Sequence, residues 1–465
     1  MKVEQIYTGC LAHGAYYIES NGEAAIIDPL RETKPYLDRA AKSGAKIRYI
    51  LETHFHADFV SGHLDLSKQT GAEIVYGPTA NANFPILRAN DRQILTLGDV
   101  TIEVLHTPGH TMESSCFLLR DNHGNINSVF TGDTVFLGDV GRPDLAVKTD
   151  LSKEQLAGYL FDSIQEKIMP LPDHTIVYPG HGAGSACGKN MSDDTVDTLG
   201  HQKATNYALQ PMSKEAFVAA VLEGQTTPPQ YFPKNAVMNK MGYDSFVDVL
   251  EKGLTALDVE SFEDAANRMD ALVLDARHET EFVKGFIPNS IFIGIDGNFA
   301  PWVGTLILDL QQPILVVADE GREEEVITRL SRVGYDNAVG FLKGGIDAWK
   351  AAGKEIDTIK AVSAKEFANL EHHHGINVLD VRRATEYETA HVEGARLVTV
   401  DHINDYMNDL HKHSEYFMYC QGGYRSTIAA SILKARGFEA LVNVEGGFDA
   451  IKENPEVKLE SGVNA

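Results

Sequence analysis

Thr53-His54-Phe55-His56-Ala57-Asp58-Phe59-Val60-Ser61-Gly62-His63 follows directly on the apolar run RYILE at 48–52. A short apolar run that breaks into imidazoles and a carboxylate places side-chain donors on a loop at a strand end, where a rigid sheet can hold them. Nitrogen and oxygen donors at this density suit a divalent transition metal. Three more pieces follow strand-like runs in order: Thr107-Pro108-Gly109-His110, Thr131-Gly132-Asp133 and Tyr178-Pro179-Gly180-His181. One such piece alone is an ordinary cap or core residue; the series predicts a metal site.

Outward from this string, EAAIIDP, KIRYILETH, AEIVYG, VTIEVLHTPGH, INSVFTGD and HTIVYPGH read as short strands. KPYLDRAAKSG and KEQLAGYLFDSIQEKI read as amphipathic helices between them. The pattern continues to about residue 245, and MNKMGYDSFVDVLEKG reads as a helical connection, with 246–257 as a linker. Beyond it the chain repeats. LVLDARHETEFVKGFIPNS and NVLDVRRATEYETAHVEGA match, with Asp275 and Asp380, Glu281 and Glu386, and the glycine pairs 344–345 and 446–447 as landmarks. The copies lie roughly a hundred residues apart, too far for a solenoid, so they are two duplicated domains, 258–355 and 356–465. Strand and helix patterns alternate in each, which predicts α/β domains with parallel sheets.

The chain has 465 residues, enough for several cores. Its 41 basic and 66 acidic residues leave a formal charge of −25, which argues against nucleic-acid and anionic-membrane partners. An anionic substrate must therefore meet a local positive charge. No apolar run approaches the ~20 residues that span a bilayer. The start MKVEQIYTGCLAHG has no basic or long apolar segment, so an unprocessed, cytoplasmic chain is expected. Cys10, Cys116, Cys187 and Cys420 form no pairs by spacing, which suits a reducing compartment. Cys10 and Cys116 read as packing, His63 and His106 as helix-surface or strand residues, and His372-His373-His374 as a solvated turn.

The histidine string and its three partners resemble the metallo-β-lactamase superfamily, over about half of the chain. The resemblance implies an αββα sandwich over 1–245. In the superfamily's HxHxDH motif the first two histidines join a later His and Asp around one metal; the Asp and third His join a late His around a second. Phe59 stands where that third His would be, and a phenyl ring cannot ligate. This departure implies one metal, with His56, Asp58 and His181 orienting ligands and substrate from behind it. Within the superfamily the chain is most similar to persulfide dioxygenases. That similarity implies one Fe(II) per chain held by His54, His110 and Asp133, with zinc as the alternative. It places Arg142 of GDVGRPDL as an anion clamp; Thr111 is a further candidate for substrate contact, and the small residues of the 182–188 loop leave room for a ligand, so that Cys187 either faces the substrate or is an inert packed thiol.

The apolar run YFMY ends at Cys420-Gln421-Gly422-Gly423-Tyr424-Arg425-Ser426, where a helical pattern begins. A cysteine facing a helix N-terminus has its thiolate stabilised by backbone N–H groups and the helix dipole. Gly422 and Gly423 let the loop curl so that amides aim at one sulfur, Gln421 and Tyr424 complete the loop, and Arg425 adds charge. The loop counts six residues from Cys420 to Arg425. It resembles rhodanese-type sulfurtransferases; related phosphatases and arsenate reductases use a longer loop. The first copy reads Ala318-Asp319-Glu320-Gly321-Arg322, without a cysteine, and is expected to be inactive.

The expectation is thus a persulfide dioxygenase–sulfurtransferase fusion. It would oxidise a low-molecular-weight thiol persulfide with O2 to sulfite, and Cys420 would pass sulfane sulfur to or from sulfite and thiosulfate. A homo-oligomer, dimer or tetramer, is expected. Two alternatives stand beside it: a glyoxalase II-like thioester hydrolase with an appended sulfurtransferase, and a sulfur-carrier or scaffold protein with a structural metal domain.

Overall fold

A computed structural model of the chain describes residues 1–145, 151–225, 227–371 and 375–462. The histidines at 372–374 lie outside the described residues. The chain divides into two compact units, Met1–Asp248 with Ser331–Gly334, and Val249–Leu330 with Tyr335–Ala465.

In the first unit, period-two alternation, broken in strand Lys46–Leu51 by a bulge between Ile47 and Tyr49, builds a double sheet. Tyr49 and Leu51 of strand Lys46–Leu51 point inward, where they join Tyr16, Ile18 and Val75 against Leu97, Ile102, Val104, Phe117 and Phe130. Ile47 and Ile50 point to the other face, beneath helices Lys34–Ser43 and His63–Thr70. Burying each such side chain contributes about 1.5–3 kcal/mol. The first sheet runs in chain order through Lys2–Thr8, His13–Ser20, Glu23–Ile27, Lys46–Leu51, Glu73–Tyr76 and Leu87–Arg88. The second runs Asp197–Thr198, Ile176–Pro179, Ile126–Gly132, Ser115–Arg120, Val100–His106 and Ile94–Leu97. Its outer face, including Leu118, Val129 and Val177, is covered by helices Lys153–Ser163 and Lys214–Leu222 through Leu160, Phe217 and Val221. Ser152 starts the former helix with a reciprocal cap to Gln155. The result is the expected αββα sandwich.

The second unit holds two five-stranded sheets of the same order. One is Ala256–Leu257, Ala338–Leu342, Ile314–Val317, Leu272–Asp275 and Ile291–Phe292. The other is Lys360–Val362, Leu441–Val444, Tyr416–Tyr419, Asn377–Asp380 and Arg396–Leu397. Neighbouring strands are parallel throughout both. The repeat landmarks acquire a reason. Asp275 and Asp380 end equivalent strands and hold the buried Arg277 and Arg382, each at 2.6 Å. Gly447, at φ +56°, lies against the strand end carrying Cys420; a Cβ there would sit 2.3 Å from the Cys420 carbonyl oxygen. The stretch expected as a linker forms helix Phe246–Gly253 and then strand Ala256–Leu257, which pairs with Ala338–Leu342. Among the described residues no helix is long and apolar enough to cross a membrane.

Candidate metal centre and sulfur-transfer loop

The four ligand-bearing loops leave the carboxyl ends of strands Lys46–Leu51, Val100–His106, Ile126–Gly132 and Ile176–Pro179. They bring His54, His110 and Asp133 together, all buried, with their donor atoms within 4.8 Å of one another. His110 Nε2 lies 3.4 Å and His54 Nε2 3.9 Å from Asp133 Oδ2. That carboxylate oxygen is buried and accepts no hydrogen bond. A buried, unpartnered carboxylate oxygen facing two ring nitrogens is what a cation would satisfy, and two imidazoles with one carboxylate suit iron or zinc.

The backs of the two rings are fixed. His54 Nδ1 lies 3.0 Å from Thr53 Oγ1, and that hydroxyl donates to Asp28 Oδ2 at 2.8 Å. The hydroxyl proton is thereby committed, so His54 Nδ1 carries the N–H and Nε2 presents its lone pair. His110 Nδ1 donates to the Arg142 carbonyl at 2.8 Å, with the same result. Burial, with His56 and His110 nearby, holds His54 well below the ordinary imidazole range, so it is neutral. Burial opposes ionisation of Asp133, but His181, His54 and His110 outweigh it and hold the carboxyl well below its usual range.

His56 does not join this group. Its Nε2 faces the other way, 3.1 Å from Asp28 Oδ1 and 3.5 Å from Glu52 Oε2. Phe59, fully buried, lies tilted against both His56 and His13, with ring centroids 4.3 Å apart in each pair. The phenyl ring thus occupies the space beside His56 as well as failing to ligate. His181 bridges two carboxylates, with Nδ1 2.8 Å from Asp133 Oδ1 and Nε2 2.8 Å from Asp58 Oδ2. Burial alone would lower its pKa, but Asp133 and Asp58 raise it well above the ordinary value. Cys187 is buried beside them, its sulfur within 4.8 Å of a carboxylate oxygen of Asp58 and a ring nitrogen of His181. Burial, with Asp58 and Asp133, pushes its thiol well up.

Two expected substrate contacts are turned onto protein partners. Arg142 is buried and turned onto its own loop, donating to Asp144 at 2.7 and 2.8 Å and to the Ala186 carbonyl at 3.1 Å. Its charge is met by Asp144, so it braces the loop, and its backbone carbonyl is what reaches His110. Thr111 spends its hydroxyl on Ser114, 2.8 Å away. His63 is also no surface residue: it is fully buried, 3.4 Å from Glu52. The sequence reading missed Thr53, Asp28 and Glu52, although a charged residue closing the apolar run EAAII was a signal for Asp28. It also missed Gly141, where a Cβ would lie 1.9 Å from the Asp133 carbonyl oxygen and 3.0 Å from His110 Nδ1.

In the second unit Cys420, buried, directly follows strand Tyr416–Tyr419, and helix Tyr424–Ala435 starts four residues on. Gly423, at φ +113°, donates its N–H to Cys420 Sγ at 3.1 Å, and Ser426 Oγ lies 3.6 Å from the sulfur. Arg425 is gripped by Glu386 at 2.6 and 2.7 Å, so its charge is already partnered; this gives the repeat landmark Glu386 its role. Gln421 is held from both sides, by Arg382 at 3.3 Å and Asp449 at 2.6 Å. In the first copy Ala318 takes the strand-end position of Cys420, and Arg322 pairs with Asp296 and Glu325.

Residues 8–181 match the metallo-beta-lactamase superfamily, and 258–352 and 363–454 match the rhodanese-like domain. The chain belongs to the metallo-β-lactamase superfamily, with rhodanese-like domains following the metal-site domain. It is 34% identical over 182 residues to a probable hydroxyacylglutathione hydrolase of Schizosaccharomyces pombe, covering 38% of this chain and 66% of that protein. It is 30% identical over 198 residues to a mitochondrial persulfide dioxygenase of Homo sapiens, covering 42% of this chain and 70% of that protein. A crystal structure of a metallo-beta-lactamase from Staphylococcus aureus subsp. aureus COL matches with TM-score 0.65 and 31% identity, over 74% of this chain and 98% of that one.

Proposed function

We propose that the chain is an iron-dependent persulfide dioxygenase carrying a sulfurtransferase domain. The observation that carries this reading is the separation of His56 from His54, His110 and Asp133, with Phe59 beside it. A two-histidine, one-carboxylate set with open positions on one face is the arrangement of non-haem iron oxygenases, in which bound Fe(II) supplies the activation of O2. The overall change balances as RSSH + O2 + H2O giving RSH, sulfite and two protons. His54 and His110 offer Nε2 lone pairs because Thr53 and the Arg142 carbonyl hold their Nδ1 protons. Asp133 stays ionised because three histidines surround it. His181, holding a proton between Asp58 and Asp133, can return one to a leaving thiolate.

At Cys420 the thiolate attacks the outer sulfur of thiosulfate. The sulfur–sulfur bond breaks, sulfite leaves with the electron pair, and the cysteine becomes a persulfide. In the reverse direction sulfite takes that sulfur. The first site's product is therefore the second site's partner, which gives the fusion a chemical reason.

A glyoxalase II-like thioester hydrolase is the second reading. The group Asp58, His181 and Cys187, close enough to hold a second ion, favours it, as does the likeness to the hydrolase of Schizosaccharomyces pombe. Metal analysis with an oxygen electrode separates the two. About one iron per chain and O2 uptake on adding glutathione persulfide supports the dioxygenase; two zinc ions per chain and no uptake overturns it.

A further inference from the structure

Tyr424, fifth residue of the loop that starts at Cys420, is held by the domain that lacks a cysteine. Its hydroxyl donates to the Gly294 carbonyl at 2.7 Å, just past strand Ile291–Phe292. Its ring meets Phe292 edge-on, centroids 5.7 Å apart. Two missing side chains make the seat: a Cβ on Gly297 would lie 2.4 Å from the Tyr424 ring, and one on Gly294 would lie 3.1 Å from it. Burial, with Glu279 nearby, pushes the phenol up, so it keeps its proton and remains a donor.

The seat is pinned from behind. Ile295 donates its N–H to the Ala276 carbonyl at 3.0 Å, and Arg329 donates to the Ile295 carbonyl at 2.7 Å. Asp296 receives Arg322 at 2.9 Å. Arg322 is the arginine of the degenerate loop, so the residue that would have cradled an anion there now braces the segment beneath Tyr424.

On the other side of Tyr424 lies Gly423, whose N–H meets the Cys420 sulfur. Glycine supplies the positive φ but no stiffness of its own. Its carbonyl accepts from the Thr427 N–H at 3.1 Å and from the Ser426 and Thr427 hydroxyls at 2.9 Å each, and the residues flanking it complete the hold on its N–H. Cys420 is fixed through its carbonyl, which accepts from Phe448 N at 2.7 Å; Tyr424 is fixed by Gly294.

We propose that Tyr424 is a positioning residue, and that the cysteine-less domain is thereby part of the Cys420 site. The Gly294 carbonyl fixes Tyr424, and Tyr424 fixes the Gly423 N–H that stabilises charge on the sulfur. This rests on the sulfur-transfer reading of Cys420.

The test compares the full-length wild type with Tyr424→Phe, Gly297→Ala and Ser431→Ala. Ser431 Oγ accepts the Phe292 N–H at 3.0 Å, so its loss loosens the same seam without touching the loop. Two quantities are read: the rate of Cys420 alkylation by iodoacetamide, followed by peptide mass spectrometry, and kcat and KM for sulfur transfer from thiosulfate to cyanide. Loss of one net hydrogen bond predicts that Tyr424→Phe slows alkylation and kcat about fivefold, with KM changing by less than about twofold. Gly297→Ala should act in the same direction and more strongly. Ser431→Ala should lower Tm and leave both rates within about 1.5-fold of wild type. Wild-type rates in Tyr424→Phe overturn the proposal, and so does an equal slowing in Ser431→Ala, which would mean general loosening. If Gly297→Ala fails to fold, Tyr424→Phe decides alone. A wild-type chain that transfers no sulfur although Cys420 alkylates would count against the sulfurtransferase reading, and the alkylation rates would still decide the role of Tyr424.

Discussion

Thr53→Val removes one oxygen from a fully buried chain of three groups. The Thr53 hydroxyl lies 3.0 Å from His54 Nδ1 and 2.8 Å from Asp28 Oδ2, and valine keeps the branched shape while losing both contacts. Each buried group left without its partner costs about 1–3 kcal/mol. Asp28 keeps the Thr53 backbone N–H at 2.8 Å, which places the sum near about 3 kcal/mol. At roughly 2–4 °C per kcal/mol for a unit of this size, Tm should fall by about 6–12 °C. The effect on the metal is separate. With its Nδ1 proton unheld, the His54 ring is free to turn or change tautomer, and Fe(II) affinity should fall about 10–100-fold. Competition with a chromophoric chelator measures that affinity in folded protein well below Tm. An affinity within about twofold of wild type, whatever happens to Tm, would refute the claim that Thr53 sets the ligand geometry of His54.

Asp133→Ala should abolish iron binding and sulfite production together, as read by metal analysis and sulfite assay; surviving sulfite production would overturn the metal-site mechanism. Cys420→Ser should abolish transfer from thiosulfate while O2 uptake with glutathione persulfide stays near wild type, and equal loss of both would contradict two independent sites. Adding Ala318→Cys to Cys420→Ser should restore no thiosulfate turnover, because the Asp319–Arg322 loop is acidic and one residue shorter. Asp380→Ala strands the buried Arg382 and should cost about 3–5 kcal/mol in urea unfolding, more than Asp380→Ala combined with Arg382→Met; the reverse order would refute a paired-charge role.

The strands and the buried cluster of His54, His110 and Asp133 at their ends were both legible in the residue order, since both follow local rules. Runs such as KIRYILE and INSVF alternate or stay apolar over strand lengths, and a histidine or aspartate beyond each end marks its loop. The duplication was legible because Asp275 and Asp380 recur with their following arginines, and the buried ion pairs explain why those residue types stand there. The Cys420 loop was legible because its six residues carry the glycines that a curled backbone needs.

Other features depended on contacts between distant parts of the chain. Phe59 announced a lost ligand, yet only packing revealed that its ring lies between His13 and His56 and that His56 turns to Asp28 and Glu52, residues 28 and four positions earlier in the chain. Arg142 and Arg425 were singled out as positive charges for an anion, and the fold gives each a carboxylate instead, Asp144 and Glu386. A sequence displays charges but not their partners, because a buried charge is neutralised by whatever the fold brings within about 3 Å. The same reason applies to the opening string. Its residues singled out a candidate metal site, while the grouping of His54 rather than His56 with His110 and Asp133 was made by tertiary neighbours: a threonine hydroxyl behind one ring, and two carboxylates beside the other.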